Sequence, residues 1–148
     1  MNYTKLAEQL LENMILANKS KALLKLSKII HGEMFALQMI AAHNNDITPG
    51  DISKAAGTSP ARIAAELKSL ENKGLIIREI DPNNSRRILI HLTPEGEKTA
   101  NTYHCEGIDV ARELISQLGE SDAIEYIRII GKLGEIQNDK DSAQFPIA

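Results

Sequence analysis

The stretch 69-SLENKGLIIREIDPNNSRRILIHLT-93 decides the fold. A polar helix end passes through Gly74 into a β-branched, apolar run, 75–80. The turn 81-DPNNSRR-87 follows, and a second apolar run, 88–92, completes the pattern. Two such runs around a turn predict a β hairpin. Pro82 stands early in the turn, and the asparagine pair tolerates left-handed backbone. Arg86 and Arg87 close it. Asn, Ser or Lys would keep a turn soluble. Arginine adds a planar, permanently charged fork that suits phosphates and narrow minor grooves.

Upstream, Thr48-Pro49-Gly50-Asp51 predicts a helix start, with Thr48 as cap, Pro49 in the first turn and Asp51 near the positive dipole end. Gly57 ends that helix within three turns. Ser59-Pro60 starts the next by the same logic. It runs to about Lys73, with Ile63, Leu67 and Leu70 clustered within about 60° and Gly74 as its stop. Ile52, Ser53, Ala56, Gly57 and Ile63 follow a helix-turn-helix pattern. Ser53 is small enough for a close helix crossing, and Gly57 gives the turn its backbone freedom. A helix-turn-helix followed by a hairpin is a winged helix, an arrangement that usually reads duplex DNA.

The side of the second helix opposite its apolar stripe carries Ala61, Arg62, Ala65, Lys68 and Ser69. Alanine methyls can meet thymine methyls, Arg62 a guanine edge or a phosphate, and Lys68 a phosphate. Ser59 and Pro60 sit at the helix N-terminus, where backbone N–H groups suit a phosphate. Arg86 is the wing residue expected to enter a groove. Arg87, one residue on, is expected to face another way and touch backbone only.

The flanks read as helices. Residues 4–17 carry Leu6, Leu10 and Met14 on a broad apolar face. Residues 33–43 carry Met34, Leu37, Ile40 and Ala41. Residues 94–118 start at a Thr93-Pro94 cap and carry Ala100, Tyr103, Ala111, Leu114 and Leu118. After Gly119, residues 120–136 carry Ala123, Ile124, Ile127, Ile130, Leu133 and Ile136. Residues 18–30 fit either a helix or a loose connection. The fold class is therefore mainly α with a small β hairpin. We expect one domain: a winged helix-turn-helix lobe at 32–93, a helical lobe at 1–31 and 94–137, and a fraying tail at 138–148.

Composition excludes several classes. With two Phe, three Tyr and no Trp, the core must be aliphatic. No apolar run reaches the roughly 20 residues needed to span a bilayer. The one cysteine, Cys105, excludes an internal disulfide and fits a reducing cytoplasm. It is expected as a buried structural thiol rather than a sensor. Net charge is −3, yet residues 51–93 carry seven Lys/Arg against five Asp/Glu. Residues 94–148 carry five against eleven. An acidic body does not stop a locally basic surface from docking on phosphate. No phosphate loop, nucleophile motif or convergent acid–base set supports an enzyme, and no catalytic residue or cofactor is expected. His104-Cys105-Glu106 point 100° apart in a helix and cannot converge on one metal ion. Tyr3, Tyr103 and Tyr126 are expected as dimer-core side chains.

The sequence resembles the MarR-type multiple-drug-resistance regulators of bacteria, over roughly residues 32–136. The family wing reads approximately L-E-x-K-G-L-I-x-R, D-P, D-x-R, L-T-x-x-G. Leu70, Glu71, Lys73, Gly74, Leu75, Ile76, Arg78, Asp81, Pro82, Arg86, Leu92, Thr93 and Gly96 fall on it. One departure is Asn84, where the family usually places the acid that orients the wing arginine. The resemblance implies a cytoplasmic homodimer that holds a pseudo-palindromic double-stranded DNA operator, usually as a repressor. The helical lobe at 1–31 and 94–137 would then serve dimerisation, and Leu6, Leu10, Met14, Leu114, Leu118, Ile127 and Ile130 would build its dimer interface. The resemblance also implies release by a signal, in many members a small anionic aromatic molecule, an oxidant or a metal, none of which this sequence singles out. The alternative is a winged helix used for protein–protein assembly without DNA readout.

Overall fold

A computed structural model describes residues 1–137. The tail expected at 138–148 lies outside them. Among the described residues the chain forms seven helices and one antiparallel strand pair. The elements are α1 (Tyr3–Ala17), α2 (Lys21–Ile29), α3 (Gly32–Ala42), α4 (Pro49–Ala56) and α5 (Pro60–Asn72). Then come β1 (Ile76–Asp81), β2 (Asn84–Leu92), α6 (Pro94–Leu118) and α7 (Glu120–Gln137). The segment that fitted either helix or connection is helical, capped by Ser20 on the N–H of Leu23. No helix among the described residues is long and apolar enough to cross a membrane.

Local chemistry fixes the helix ends. Thr48 and Asp51 form a reciprocal capping box, each side chain accepting from the other's backbone N–H. Gly57 takes the left-handed conformation at φ +61°, which costs glycine nothing. Ser53 does more than stay small. Its hydroxyl is buried and donates to the Thr58 carbonyl at 2.7 Å, tying α4 to the turn.

The core is aliphatic. Ala36, Leu37, Met39 and Ile40 of α3 meet Ile52 of α4, Ile63, Leu67 and Leu70 of α5, and Ile76 and Ile90 of the hairpin. Burying each Leu or Ile contributes about 1.5–3 kcal/mol. The stripe expected on α3 needs correction. Ala41 is exposed and Met34 half-buried, whereas Ala36 and Met39 are fully buried. The cause is position: α3 packs against α5, α6 and β2 at once, so it buries a wider arc than one neighbour would cover. Tyr103 also departs from expectation, packing against this core within its own chain. Cys105 is exposed, not buried. On α6 it lies across the helix from the side that holds Ala100 and Tyr103.

The seam between hairpin and α6 explains the L-T-x-x-G pattern. Thr93 caps α6 by accepting from the Gly96 N–H at 3.0 Å, and its hydroxyl donates to the Gly74 carbonyl at 2.6 Å. Its own N–H donates to the Leu75 carbonyl. A Cβ at Gly96 would lie 1.9 Å from that carbonyl oxygen, so only glycine lets α6 approach so closely.

Candidate nucleic-acid interface

The outer side of α5 is built as its period dictates. Ile63, Leu67 and Leu70 are buried, and Ala61, Arg62, Ala65 and Lys68 are exposed. Ser59 and Pro60 are exposed at the N-terminus, where Ser59 Oγ accepts from the Arg62 N–H at 3.2 Å. That cap leaves the hydroxyl proton available to a phosphate oxygen. Ser69 is half-buried and hydrogen-bonds Glu33, so it is turned away from the exposed alanines. Sequence reading overlooks two exposed polar residues, Asn72 on α5 and Lys54 on α4. Asn72 had a legible signal, since 61, 65, 68 and 72 recur along one helical line.

The hairpin tip differs from the simple loop expected over 81–87. Pro82 and Asn83 alone form the turn, and β2 already begins at Asn84. Ile80 pairs with Ile88, but Asp81 pairs with Asn84. Ser85, Arg86 and Arg87 therefore bulge out of register with β1. A bulge of this kind re-aims side chains. Two side-chain acceptors brace it: Asp81 Oδ1 takes the Asn83 N–H at 2.9 Å, and Asn84 Oδ1 takes the Arg86 N–H at 3.1 Å. The amide at 84 thus grips the backbone of the wing arginine, a bond that needs an acceptor but no charge.

Ion pairs sort the seven cations of residues 51–93. Lys73 binds Glu33 at 2.6 Å, and Arg78 binds Glu71 at 2.9 Å. Arg87 lies between Asp46 at 3.3 Å and Asp81 at 3.4 Å. Arg62 sits 3.5 Å from Glu66 on an exposed helix face, a pairing of little strength. Among the described residues Lys54, Lys68 and Arg86 have no ion pair. Burial alone would push the Glu33 carboxyl up, but hydrogen bonds from Lys73 and Ser69 and the Lys73 charge hold it below the ordinary range. The bond to Glu33, then its charge, raises the Lys73 ammonium. His91 lies on β2 with Nε2 3.0 Å from Glu79 Oε2, an approach not aligned for a hydrogen bond.

Residues 31–87 match the model of the MarR family. The transcriptional regulator HosA of Escherichia coli O111:H- is 29% identical over 99 residues, covering 67% of this chain and 73% of HosA. The S. aureus MepR–DNA complex is 27% identical with a TM-score of 0.64, covering 93% of this chain and 99% of MepR. Streptococcus pneumoniae FabT in complex with DNA has a TM-score of 0.68 at 20% identity, covering 95% of this chain and 100% of FabT. FabT shares the fold. HosA and MepR are transcription regulators, and this chain is likewise not an enzyme. A capped helix-turn-helix, a braced wing and the L-T-x-x-G seam agree with these likenesses, and over residues 31–87 the chain matches the MarR family of transcriptional regulators.

Proposed function

We propose that the chain is a cytoplasmic, homodimeric repressor that binds a pseudo-palindromic operator in double-stranded DNA. Residues 32–93 form its DNA-binding lobe, and residues 1–31 and 94–137 its dimerisation lobe. The observation that carries this reading is the distribution of uncompensated charge. Cations that serve the fold are paired, while those left over lie on α4, on the outer side of α5 and at the wing tip. Ala61, Ala65, Lys68 and Arg62 would face the major groove, with Ser59 and Pro60 at a phosphate and Arg86 in the flanking minor groove. Leu6, Leu10, Met14, Ile127 and Ile130 are exposed in the single chain, and Leu114 and Leu118 extend the same material along α6. Two-fold pairing would cover these side chains and set two α5 helices about one DNA turn apart.

A cleft of about 590 Å³ lies between α3, the end of β2 and α6, and supports relief by a small molecule. Gln38, Asn45, Glu97, Asn101 and His104 line it over an alanine floor. Its lining holds no Lys or Arg, so it suits a neutral or cationic molecule with an apolar face better than the anionic aromatics common in the family.

The test is fluorescence anisotropy across a KCl series, on a duplex selected by the protein from a randomised pool. Affinity should fall steeply with salt, with log K losing about 0.9 per log unit of salt for each phosphate contacted. Arg86→Ala should lower that slope by about one contact. Absence of salt-dependent duplex binding would favour the protein-docking alternative.

A further inference from the structure

We infer that Arg87 is a positioning residue: it pins the wing to the loop before α4, so that Arg86 alone of the two arginines meets DNA. The inference rests on the DNA-binding reading above. The Arg87 guanidinium is held by two carboxylates, Nη2 to Asp46 Oδ1 at 3.3 Å and Nη1 to Asp81 Oδ2 at 3.4 Å. The Asp81 side chain is only 9% exposed, and its other oxygen already accepts the Asn83 N–H. Drawing Arg87 away to a phosphate would leave a buried carboxylate without its counter-charge, which is costly. One arginine between two acids also offers DNA no net positive field.

The Asp46 side chain, 73% exposed, would contribute little by itself. Its neighbours give it leverage. Asn45 Oδ1 accepts the Leu92 N–H at 2.8 Å, and the Ile47 carbonyl accepts the Ile90 N–H at 3.2 Å. Asn44 and Asn45 both take positive φ, 51° and 63°, which sets this loop against β2. Asp46 on Arg87 is the third point of the same clip and the one nearest the tip. A two-stranded ribbon is marginal alone, so a clip along its outer edge fixes where its tip lies. Arg86 belongs to the same bulge, its backbone held by Asn84 and its side chain unpaired among the described residues.

The decisive variant is Asp46→Asn, nearly isosteric at an exposed site. If Arg87 were a phosphate contact, removing this acid would free it, lower repulsion and tighten binding. A positioning role requires the opposite sign: a roughly two- to fivefold loss of affinity for the selected duplex with an unchanged salt slope. Arg87→Gln should weaken binding without removing a contact from the slope, and the double variant should be no weaker than Arg87→Gln alone. Tighter binding by Asp46→Asn, or a slope reduced by about one contact in Arg87→Gln, would overturn the inference. Hydrogen exchange without DNA gives the independent arm. In Asp46→Asn the amides of Arg86 and Ile88 should exchange faster, while those of Leu37 and Leu67 stay as they were. Unchanged wing exchange also overturns the clip. If the wild-type chain binds no duplex at all, the DNA-binding reading fails, and exchange still decides the clip.

Discussion

The middle of the chain and its two ends use the same aliphatic residues to different effect. Leu37, Ile40 and Ile90 are fully buried by neighbours within the chain. Leu10 of α1 is 60% exposed and Ile127 of α7 is 58% exposed. All three helices involved are amphipathic or apolar, so periodicity alone does not separate them. The difference lies in whether the chain supplies a second surface. For α3 it supplies α5, α6 and β2, whereas α1 buries none of its side chains. An apolar stripe states that a face will be covered, but not by which molecule.

The sharpest way to break that comparison is to charge the open side. Ile127→Glu with Ile130→Glu should convert a dimer into monomers in sedimentation equilibrium. Loss of two-site engagement should weaken operator binding roughly a hundredfold or more. A variant that remains dimeric with unchanged affinity would show that α7 is not the covering surface.

Two glycines sharpen the contrast at single-atom scale. At Gly96, in the closed middle, a Cβ would strike the Leu75 carbonyl oxygen. Gly96→Ala should therefore destabilise the chain by roughly 1–3 kcal/mol in urea melts. At Gly131, on α7, an added Cβ meets nothing within 4 Å in the single chain. Gly131→Ala should gain about 0.5–1 kcal/mol from helix propensity. A loss there instead would mean that a second chain packs against that position.

How much of this was legible follows from the same division. Helix starts at Thr48, Ser59 and Thr93 and stops at Gly57, Gly74 and Gly119 have local causes, and sequence showed them. The wing was legible as a motif, but its bulge was not. Whether Ser85 to Arg87 slip out of register depends on how β2 meets β1 and the loop near Asp46, far upstream. The candidate cations were visible as residues. Which of them are free was hidden, because Lys73 is committed to Glu33 and Arg87 to Asp46 across long separations. Ser69 turned to Glu33 for the same non-local reason.

The smallest expected effect tests whether surface charge matters to the closed middle at all. Glu33 and Lys73 join the start of α3 to the end of α5. Because the Glu33 carboxyl is held below its ordinary range, its contribution is present above the unfolded carboxylate range and is lost as pH falls through the lower folded value. Because the Lys73 ammonium is raised, its share is present below the unfolded lysine range and is lost as pH rises through the higher folded value. The pair therefore stabilises between these limits, roughly pH 6 to 9. Glu33→Gln should lower the melting temperature there by only about one or two degrees, since the lysine is solvent-screened. The gap from wild type should close below the carboxylate range, where Glu33 is itself protonated. A gap of ten degrees at neutral pH that closes in acid would mean that charge and not aliphatic burial holds α3 to α5, whereas a gap that persists in acid would mean that Glu33 acts by packing or neutral hydrogen bonding and not by charge.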